Sequence, residues 1–344
     1  MEKVRLGIIG CGNMGFEHVR GSKHLTNCVV TAVCDIDAER AKNAADYIGT
    51  PACYWTTDYT EITDRVDAVL IALPHNLHFS CGMYFVGKGK HILMEKPLCN
   101  SEKECLELAQ AAEQAELLLM CAYPVRHWPA VQMIKKLVDD KTYGDVIQMS
   151  IWTEQWTKDP RFDYSVAALG GGQFFSHGCH YVDILLWILG EPVRGIHFGS
   201  RVGTPWLEGE GTSNMVMEFE SGAMAYHFGT WGARGSKHNY DFQIHFTGGF
   251  LDYDAFEETV TFRKEWGEGL SDSEPRVITR QFPKTDEVHH VHLEAAHFAD
   301  CIMGKATPLI TGRESLQSLR VVWKLYEAEK NGEIADLRGL GIKK

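Results

Sequence analysis

The sequence has no long uninterrupted hydrophobic run and no dense cluster of basic residues. Its start, MEKVRLGIIGCG, carries three charges and then a short apolar run, which is too brief for a signal peptide or a membrane span. The 344 residues include 34 Lys and Arg against 46 Asp and Glu, a formal net charge of −12, which does not favour a surface that follows phosphates. We therefore expect neither a membrane anchor nor a nucleic-acid partner.

The ten cysteines contain no CxxC pair. A disulfide framework or a zinc ribbon is therefore not indicated, and buried thiols of a reducing compartment are the simpler interpretation. This favours a cytoplasmic protein. The sequence also has no internal repeat and no low-complexity tract, and its length predicts two domains.

Short apolar segments alternate with segments of helical period in residues 1–122. The apolar segments are VRLGII, CVVTAVC, VDAVLIAL, HILME and LLLMC. Strands that are apolar on both faces and separated by helices predict a parallel, doubly wound α/β sheet. Ser101 with Glu104 forms a capping-box pattern before one helix, and Gly49 follows the end of another.

The pattern changes in residues 123–344. Two helical segments, near WPAVQMIKKLVDD and YVDILLWILG, come before TSNMVMEFE, AMAYHFGTW, DFQIHF and ETVTFR, which alternate or are rich in aromatic residues. Such segments, joined by turns that contain glycine, predict an α+β domain with a large, mostly antiparallel open sheet. Two further helical segments close the chain.

Gly10, Gly12 and Gly15 form a GxGxxG motif between the first strand and the first helix, with Asn13 and Met14 inside it. In this position, glycines permit a tight turn, and the N–H groups of the helix N-terminus can bind a pyrophosphate. Asp35 ends the second strand, where a carboxylate accepts hydrogen bonds from ribose hydroxyls and repels a 2′-phosphate. The motif therefore predicts a dinucleotide site that favours NAD over NADP.

The segment GKGKHILMEKPL brings Glu95, Lys96 and Pro97 to the end of a strand. With the glycine-rich turn, ALPHNLHF, GGG…H..D and GKATPLITGRESL, it closely resembles the glucose-fructose oxidoreductase/inositol dehydrogenase (Gfo/Idh/MocA) family over the whole chain. This resemblance implies a Rossmann domain, a C-terminal domain that mediates homodimers or homotetramers, and hydride transfer at a hydroxyl of a sugar, glycoside or polyol.

The resemblance also implies roles for individual residues. Lys96 matches a lysine that hydrogen-bonds the reacting oxygen, His180 matches the catalytic histidine, and Asp183 matches an acidic residue on the same helix. An imidazole titrates near neutrality and can accept the hydroxyl proton. The further residues implied for the cofactor, together with Lys96, are Pro74, Asn76, His78 and Glu95, and Arg126 is implied for the substrate. Trp156, whose ring could stack on the face of a sugar, Ser176 and His177 are further candidates for substrate contact.

Ser176 departs from the family pattern, which often has Asp one helical turn before the histidine. A hydroxyl can orient an imidazole but cannot stabilise an imidazolium by charge, so another carboxylate could replace the missing one. The candidates are Glu154, Asp159 and Asp163. The substitution leaves open a redox-assisted glycoside-cleaving enzyme, which would hold NAD through turnover. A non-catalytic sensor of dinucleotide or sugar is a further alternative.

The segment HGCH raises the question of a metal site, because His177 and His180 lie three residues apart. A metal site needs further donors, and only Asp183 is well spaced for that role. We therefore expect no metal, with His180 in proton transfer and His177 as a substrate contact or a structural neighbour.

Overall fold

The computed structural model of this chain describes residues 3–49, 53–159, 162–264, 277–283 and 290–342. The chain divides into two compact units, which are Met1–His127 with Thr285–Leu316 and Trp128–Lys284 with Gln317–Lys344. The sequence analysis assigned all of 123–344 to the second domain, whereas residues 285–316 belong to the first unit in the structure.

The first unit contains a parallel sheet flanked by helices. Its elements up to residue 122 are β1 (Val4–Ile9), α1 (Asn13–Gly21), β2 (Cys28–Cys34), α2 (Ala38–Ile48), β3 (Tyr54–Thr56), β4 (Ala68–Ile71), α3 (His78–Gly87), β5 (His91–Glu95), α4 (Glu102–Gln114) and β6 (Leu119–Ala122). Among the described residues the sheet has six strands, in the order β3-β2-β1-β4-β5-β6, and all the pairs are parallel. The predicted Rossmann-type sheet is confirmed.

Two predicted helix ends have the expected geometry. The Ser101 hydroxyl accepts a hydrogen bond from the Glu104 N–H at 3.3 Å at the start of α4. Gly49 follows α2 with a φ of 68°, in the left-handed region that favours glycine. Ser101 therefore caps the start of α4, and Gly49 ends α2.

The remaining elements follow in chain order. They are α5 (Pro129–Asp139), β7 (Val146–Glu154), α6 (Val166–Leu169), a π-helical turn (Phe174–Gly178), α7 (Cys179–Leu189), β8 (Pro192–Ser200), β9 (Thr212–Phe219), β10 (Met224–Thr230), β11 (Phe242–Phe246), β12 (Gly249–Asp254), β13 (Thr259–Arg263), β14 (Val277–Gln281), α8 (Val291–Ile302), α9 (Gly312–Asn331) and β15 (Ala335–Asp336).

The second unit is built on one open sheet. The described strands follow the order β14-β13-β12-β11-β7-β10-β9-β8-β15. Only the β7–β10 pair of this sheet is parallel, and the other described pairs are antiparallel. The predicted, mostly antiparallel sheet is therefore confirmed.

Helix α8 belongs to the core of the first unit. Ala295, Phe298 and Ala299 are buried in the same apolar cluster as Val4 and Leu6 of β1. Burial of this apolar helix face against the parallel sheet explains why a late segment of the chain groups with the first unit.

Candidate active site

The glycine-rich turn leaves open space beside the N-terminus of α1. Gly10 has a φ of +91°, and a Cβ at Gly15 would lie 1.8 Å from the carbonyl oxygen of Gly10. Among the described residues, by contrast, no atom outside the immediate chain neighbours lies within 4 Å of a Cβ built at Gly12. Gly10 and Gly15 are therefore needed for the turn itself, whereas Gly12 leaves room for an anionic group to approach the helix N–H groups. Asn13 and Met14 form the first turn of that helix.

Asp35 lies directly beside this turn. Its Oδ2 accepts a hydrogen bond from the Cys11 N–H at 2.7 Å, and its Oδ1 accepts one from the Asp37 N–H at 2.9 Å. These bonds fix the carboxylate at the carboxyl end of β2, and each oxygen keeps further acceptor capacity. The next residue, Ile36, is 93% exposed and supplies no cation.

These residues fit a dinucleotide on structural grounds. The space next to Gly12 and the N–H groups of α1 suit a pyrophosphate, and the anchored Asp35 carboxylate suits ribose hydroxyls. A bound nicotinamide dinucleotide supplies a hydride acceptor or donor.

The loops that follow β4 and β5 carry the other predicted cofactor residues. Strands β4 and β5 are parallel neighbours, and β4 also pairs with β1, so the segments after all three lie at one edge of the sheet. Pro74 and Asn76 are exposed after β4, and Lys96 is half-buried after β5. The Lys96–Pro97 peptide bond is cis.

Glu95 is buried and faces protein groups. Its Oε1 lies 2.7 Å from Nε2 of His18 in α1, and its Oε2 accepts a hydrogen bond from the Lys96 N–H at 3.2 Å. Burial alone would raise the pKa of Glu95, but the His18 bond and the charges of His18 and Lys96 outweigh burial and hold the pKa below its usual range. Glu95 therefore connects α1 to the backbone that carries Lys96.

His78 and Arg126 are also buried among backbone groups. His78 lies between two carbonyl oxygens, those of Leu73 and Pro97, each 2.9 Å from a ring nitrogen. Arg126 is 1% exposed, and its guanidinium donates a hydrogen bond to the Leu309 carbonyl at 2.6 Å. That His78 contacts the cofactor stays a prediction, as does the contact of Arg126 with the substrate.

The second unit brings the predicted histidines and acid together at the start of α7. Ser176 and His177 lie in the π-helical turn, which continues into α7 with His180 and Asp183 in its first two turns. Ser176, His180 and Asp183 are buried, and His177 is half-buried. Single π-helical turns within helices frequently occur at functional sites.

Aromatic rings surround His177. Its ring centroid lies 5.7 Å from His180, 5.4 Å from Tyr181, 6.0 Å from Tyr240 and 6.4 Å from Trp231. The side-chain amide of Gln173 lies 3.4 Å from Nδ1 of His177 and orients the imidazole. His177 is therefore held among aromatic rings that are mostly buried, and its contact with substrate stays a prediction.

Two residues that the sequence analysis missed hold this helix start in place. Glu210 accepts hydrogen bonds at Oε1 from the Phe174 N–H at 2.9 Å and from the Tyr326 hydroxyl at 2.7 Å. The Tyr326 oxygen in turn accepts the Phe175 N–H at 3.1 Å. A Cβ at Gly172 would lie 2.3 Å from the Glu210 carboxyl. Gly172 therefore permits close approach of the chain to Glu210.

Trp156 and the candidate carboxylates lie in the loops and strand ends of this unit. Trp156 is 48% exposed, with its ring centroid 5.0 Å from Trp206 and the Arg234 guanidinium 4.4 Å away. Asp163 accepts the Ser165 N–H at 2.9 Å, and Glu154 accepts the His238 N–H at 3.4 Å. Both carboxylates therefore have local backbone partners, and their pairing with His180 stays a prediction.

Comparison with known proteins identifies both halves of the chain. Residues 4–123 match the model described as "Oxidoreductase family, NAD-binding Rossmann fold", and residues 131–252 match the "GFO/IDH/MocA C-terminal domain". The chain therefore belongs to the Gfo/Idh/MocA family. It is an oxidoreductase with an NAD-binding Rossmann domain.

Individual relatives align over nearly the whole chain. D-xylose 1-dehydrogenase (NADP(+)) 2 of Haloferax volcanii is 26% identical over 97% of this chain and 100% of its own. The scyllo-inositol 2-dehydrogenase (NAD(+)) of Bacillus subtilis is 25% identical over 96% of this chain and 95% of its own. The structure of levoglucosan dehydrogenase in complex with NADH and levoglucosan is similar in fold, with a TM-score of 0.86, 19% identity and coverage of 97% and 99%.

The helices in the described part of the chain are each too short or too polar to cross a lipid bilayer.

Proposed function

We propose that this protein is an NAD-dependent dehydrogenase that oxidises or reduces a hydroxyl or keto group of a sugar, glycoside or polyol. The observation that carries the proposal is the open cradle at Gly12 next to an anchored Asp35 carboxylate. The names of the aligned relatives, which include xylose and inositol dehydrogenases, support the substrate class.

Proton transfer is assigned to Lys96, His180 and Asp183. The Lys96 ammonium donates a hydrogen bond to the reacting oxygen and stabilises negative charge on it. His180 accepts the hydroxyl proton. The buried Asp183 lies three residues later on α7 and is the acidic residue nearest to His180 along that helix. Ser176 lies on the preceding turn and offers only a hydroxyl.

An assay with both cofactors and a panel of free sugars, polyols and aryl glycosides tests this proposal. Formation of NADH without release of an aglycone is the expected result. Release of the aglycone without net NADH would favour the redox-assisted glycosidase suggested by Ser176. Binding of NADH without turnover of any substrate in the panel would favour the sensor.

A lysine pair tests the assigned chemistry. Lys96→Met is expected to lower kcat by about 10²- to 10⁴-fold, since the reacting oxygen loses its proton-handling partner. Lys88→Met removes an exposed lysine at the end of α3 and serves as the matched control. Equal activity of the two variants would contradict the role of Lys96.

The preference for NAD over NADP is assigned to Asp35. Asp35→Asn removes the negative charge that would repel a 2′-phosphate, so the ratio of the NADPH to NADH dissociation constants is expected to fall by about 10-fold or more. Asp37→Asn is the control, because Asp37 is an exposed N-cap two residues away and Asn also caps helices. Fluorescence titration with both reduced cofactors measures the ratio, and an unchanged ratio in Asp35→Asn would contradict the assignment.

We also propose that the second unit's sheet mediates a homodimer or homotetramer. Alternate residues on neighbouring strands share the outer face of this sheet, and several are apolar and exposed, including Phe198, Val216 and Met224. An exposed apolar face of this kind is typical of a subunit interface. Light scattering of Val216→Glu against the wild-type chain tests this, and an unchanged molar mass would contradict it.

A cytoplasmic location is part of the same proposal. All ten cysteines lie among the described residues as free thiols. Burial raises the pKa of Cys11 and Cys28 to about 12, so both are held as inert thiols.

A further inference from the structure

Three titratable side chains from separate parts of the chain meet inside the first unit. His18 comes from α1, Glu95 from the end of β5 and Glu294 from α8. One nitrogen or oxygen atom of each lies within 4.8 Å of the other two. Their exposures are 4%, 5% and 1%, so the cluster is shielded from solvent.

The two carboxyl groups of this cluster differ in their partners. Glu95 is bonded to His18 and to the Lys96 N–H. Both oxygens of Glu294 are buried, and neither has a hydrogen-bond partner among the described residues. Ionisation of both groups would place two negative charges in one buried space, which is costly in a medium of low dielectric constant.

The pKa values of the two groups are moved apart, in agreement with this difference in their partners. Burial and the Glu95 charge raise the pKa of Glu294 well above its usual range, against an opposing contribution from Lys96. The pKa of Glu95 is held low. Pairs of carboxyls at close range commonly divide into one acid and one anion in this way.

We propose that Glu294 is held as a neutral carboxylic acid within the cluster of His18, Glu95 and Glu294. Glu95, which accepts the Lys96 N–H, then carries the one carboxylate charge of the cluster. This charge state does not depend on the proposed role of Lys96.

The elements packed against α8 carry other titratable and charged groups. Helix α8 packs against α1, β5 and the turn Pro124–His127. Within that turn, Arg126 donates to the Leu309 carbonyl, and the His127 ring centroid lies 5.1 Å from that of His297, one turn beyond Glu294. His78 also acts on Glu95, from between its two backbone carbonyls.

The same three side chains have the donor types of a divalent-cation site. The charge of Lys96 already acts on both carboxyls, however, and a cation bound beside it would be repelled. Protonation of Glu294 lowers the negative charge of the cluster without that repulsion, so the protonated acid is favoured over a metal.

Infrared difference spectroscopy tests the charge state directly. The spectrum of wild type minus Glu294→Gln at about pH 7 is expected to contain the C=O band of a protonated carboxylic acid, whereas wild type minus Glu95→Gln is expected to contain carboxylate bands. A carboxylate band for Glu294 would overturn the proposal. If Glu294→Gln does not fold, the wild-type protein alone serves, because a protonated-acid band must be present at about pH 7, and its absence there overturns the proposal.

One further result would overturn the inference, namely about one equivalent of a divalent metal in the purified wild-type protein that is lost from Glu294→Gln. If the spectra agree with expectation but Lys96→Met keeps full turnover, the proposed function has failed and the charge state of the cluster stands.

Discussion

The Nδ1 atom of His78 lies 2.9 Å from the carbonyl oxygen of Pro97. The opposite ring nitrogen lies 2.9 Å from the carbonyl oxygen of Leu73, so one buried imidazole joins the loop after β4 to the loop after β5. Burial outweighs the two carbonyl contacts and lowers the pKa of His78, which keeps the ring neutral near pH 7. The backbone next to Lys96 is therefore fixed by His78 on one side and by Glu95 on the other.

Replacement of this imidazole by an apolar side chain is expected to destabilise the first unit. His78→Leu keeps most of the volume but leaves the carbonyl that accepts the single N–H of the neutral ring without its donor, at a cost of about 1–3 kcal/mol in the free energy of unfolding. Urea unfolding measures the loss. His75→Leu, three residues earlier and only half-buried, is the control. An equal urea midpoint in wild type and His78→Leu would show that the ring does not stabilise these loops.

Because the space around Gly12 is open, a substitution there can weaken cofactor binding without lowering the stability of the fold. Serine is a preferred N-cap, so Gly12→Ser is expected to unfold at the wild-type temperature or above it. Its side chain would nevertheless fill the approach to the N–H groups of α1 and raise the dissociation constant of NADH by about 10-fold or more.

Gly87→Ser is the matched control for this variant. Gly87 also has open space around its Cβ position, but it ends α3. Its substitution is expected to leave NADH binding unchanged. Wild-type NADH affinity in Gly12→Ser would mean that the pyrophosphate does not lie at this turn.

The Tyr326 hydroxyl connects Glu210 to the start of the helix that carries His180. Tyr326→Phe removes this hydroxyl, which leaves the Phe175 N–H without its acceptor and Glu210 without one donor. We expect kcat to fall by about 10-fold, consistent with a loss of about 1–3 kcal/mol in a buried network. NADH affinity should stay unchanged, since the cofactor residues belong to the first unit.

Tyr226→Phe provides the comparison for Tyr326→Phe. Tyr226 donates its hydroxyl to Asn214 at 2.8 Å on the outer face of the sheet. Steady-state kinetics on both variants measure the effect. Equal kcat values for the two variants would show that the Glu210 network does not control the position of the helix.

Local patterns in the sequence predicted the parts of the fold that depend on consecutive residues. Strands β1, β2, β4, β5 and β6 were recognised because each is a continuous apolar run. Strand β3 was missed because only Tyr54–Thr56 form it. Periodicity also predicted a helix at α8, but an apolar face does not reveal which core it will join.

The candidate site shows the same limit. Gly10, Gly12, Asp35 and Lys96 were found because each lies in a short motif at a strand end. Glu294 and Glu210 act on partners far away in the chain, and neither belongs to a motif. One signal was present for Glu294, which lies three residues after Val291 and four before Phe298 on the apolar face of α8. An ionisable residue on such a face must be either paired or neutral, which marks it for attention.

His227 is expected to make the stability of the second unit depend on pH. It is fully buried in β10, with Nε2 3.1 Å from the Thr153 hydroxyl. Burial, with a smaller contribution from His197, lowers its pKa to about 3. The unfolded histidine titrates near pH 6.5, so between about pH 6.5 and pH 3 the unfolded chain binds a proton that the folded chain does not. Stability from this group is therefore lost as the pH falls through that window, by up to about 1.4 kcal/mol per pH unit.

A variant that cannot titrate isolates this contribution. His227→Gln keeps a polar contact for Thr153 but removes the titrating ring, so the urea midpoint should fall less steeply between about pH 6 and pH 4 than in the wild type. His245→Gln, at an exposed position in strand β11 of the same sheet, controls for the loss of a histidine. The carboxylates that also titrate in this range are common to all three proteins, so they cancel in the comparison. If the urea midpoint fell equally steeply with pH in His227→Gln and wild type, the folded protein would have to accept a proton at His227. Burial of this ring could then not explain the acid sensitivity of the protein.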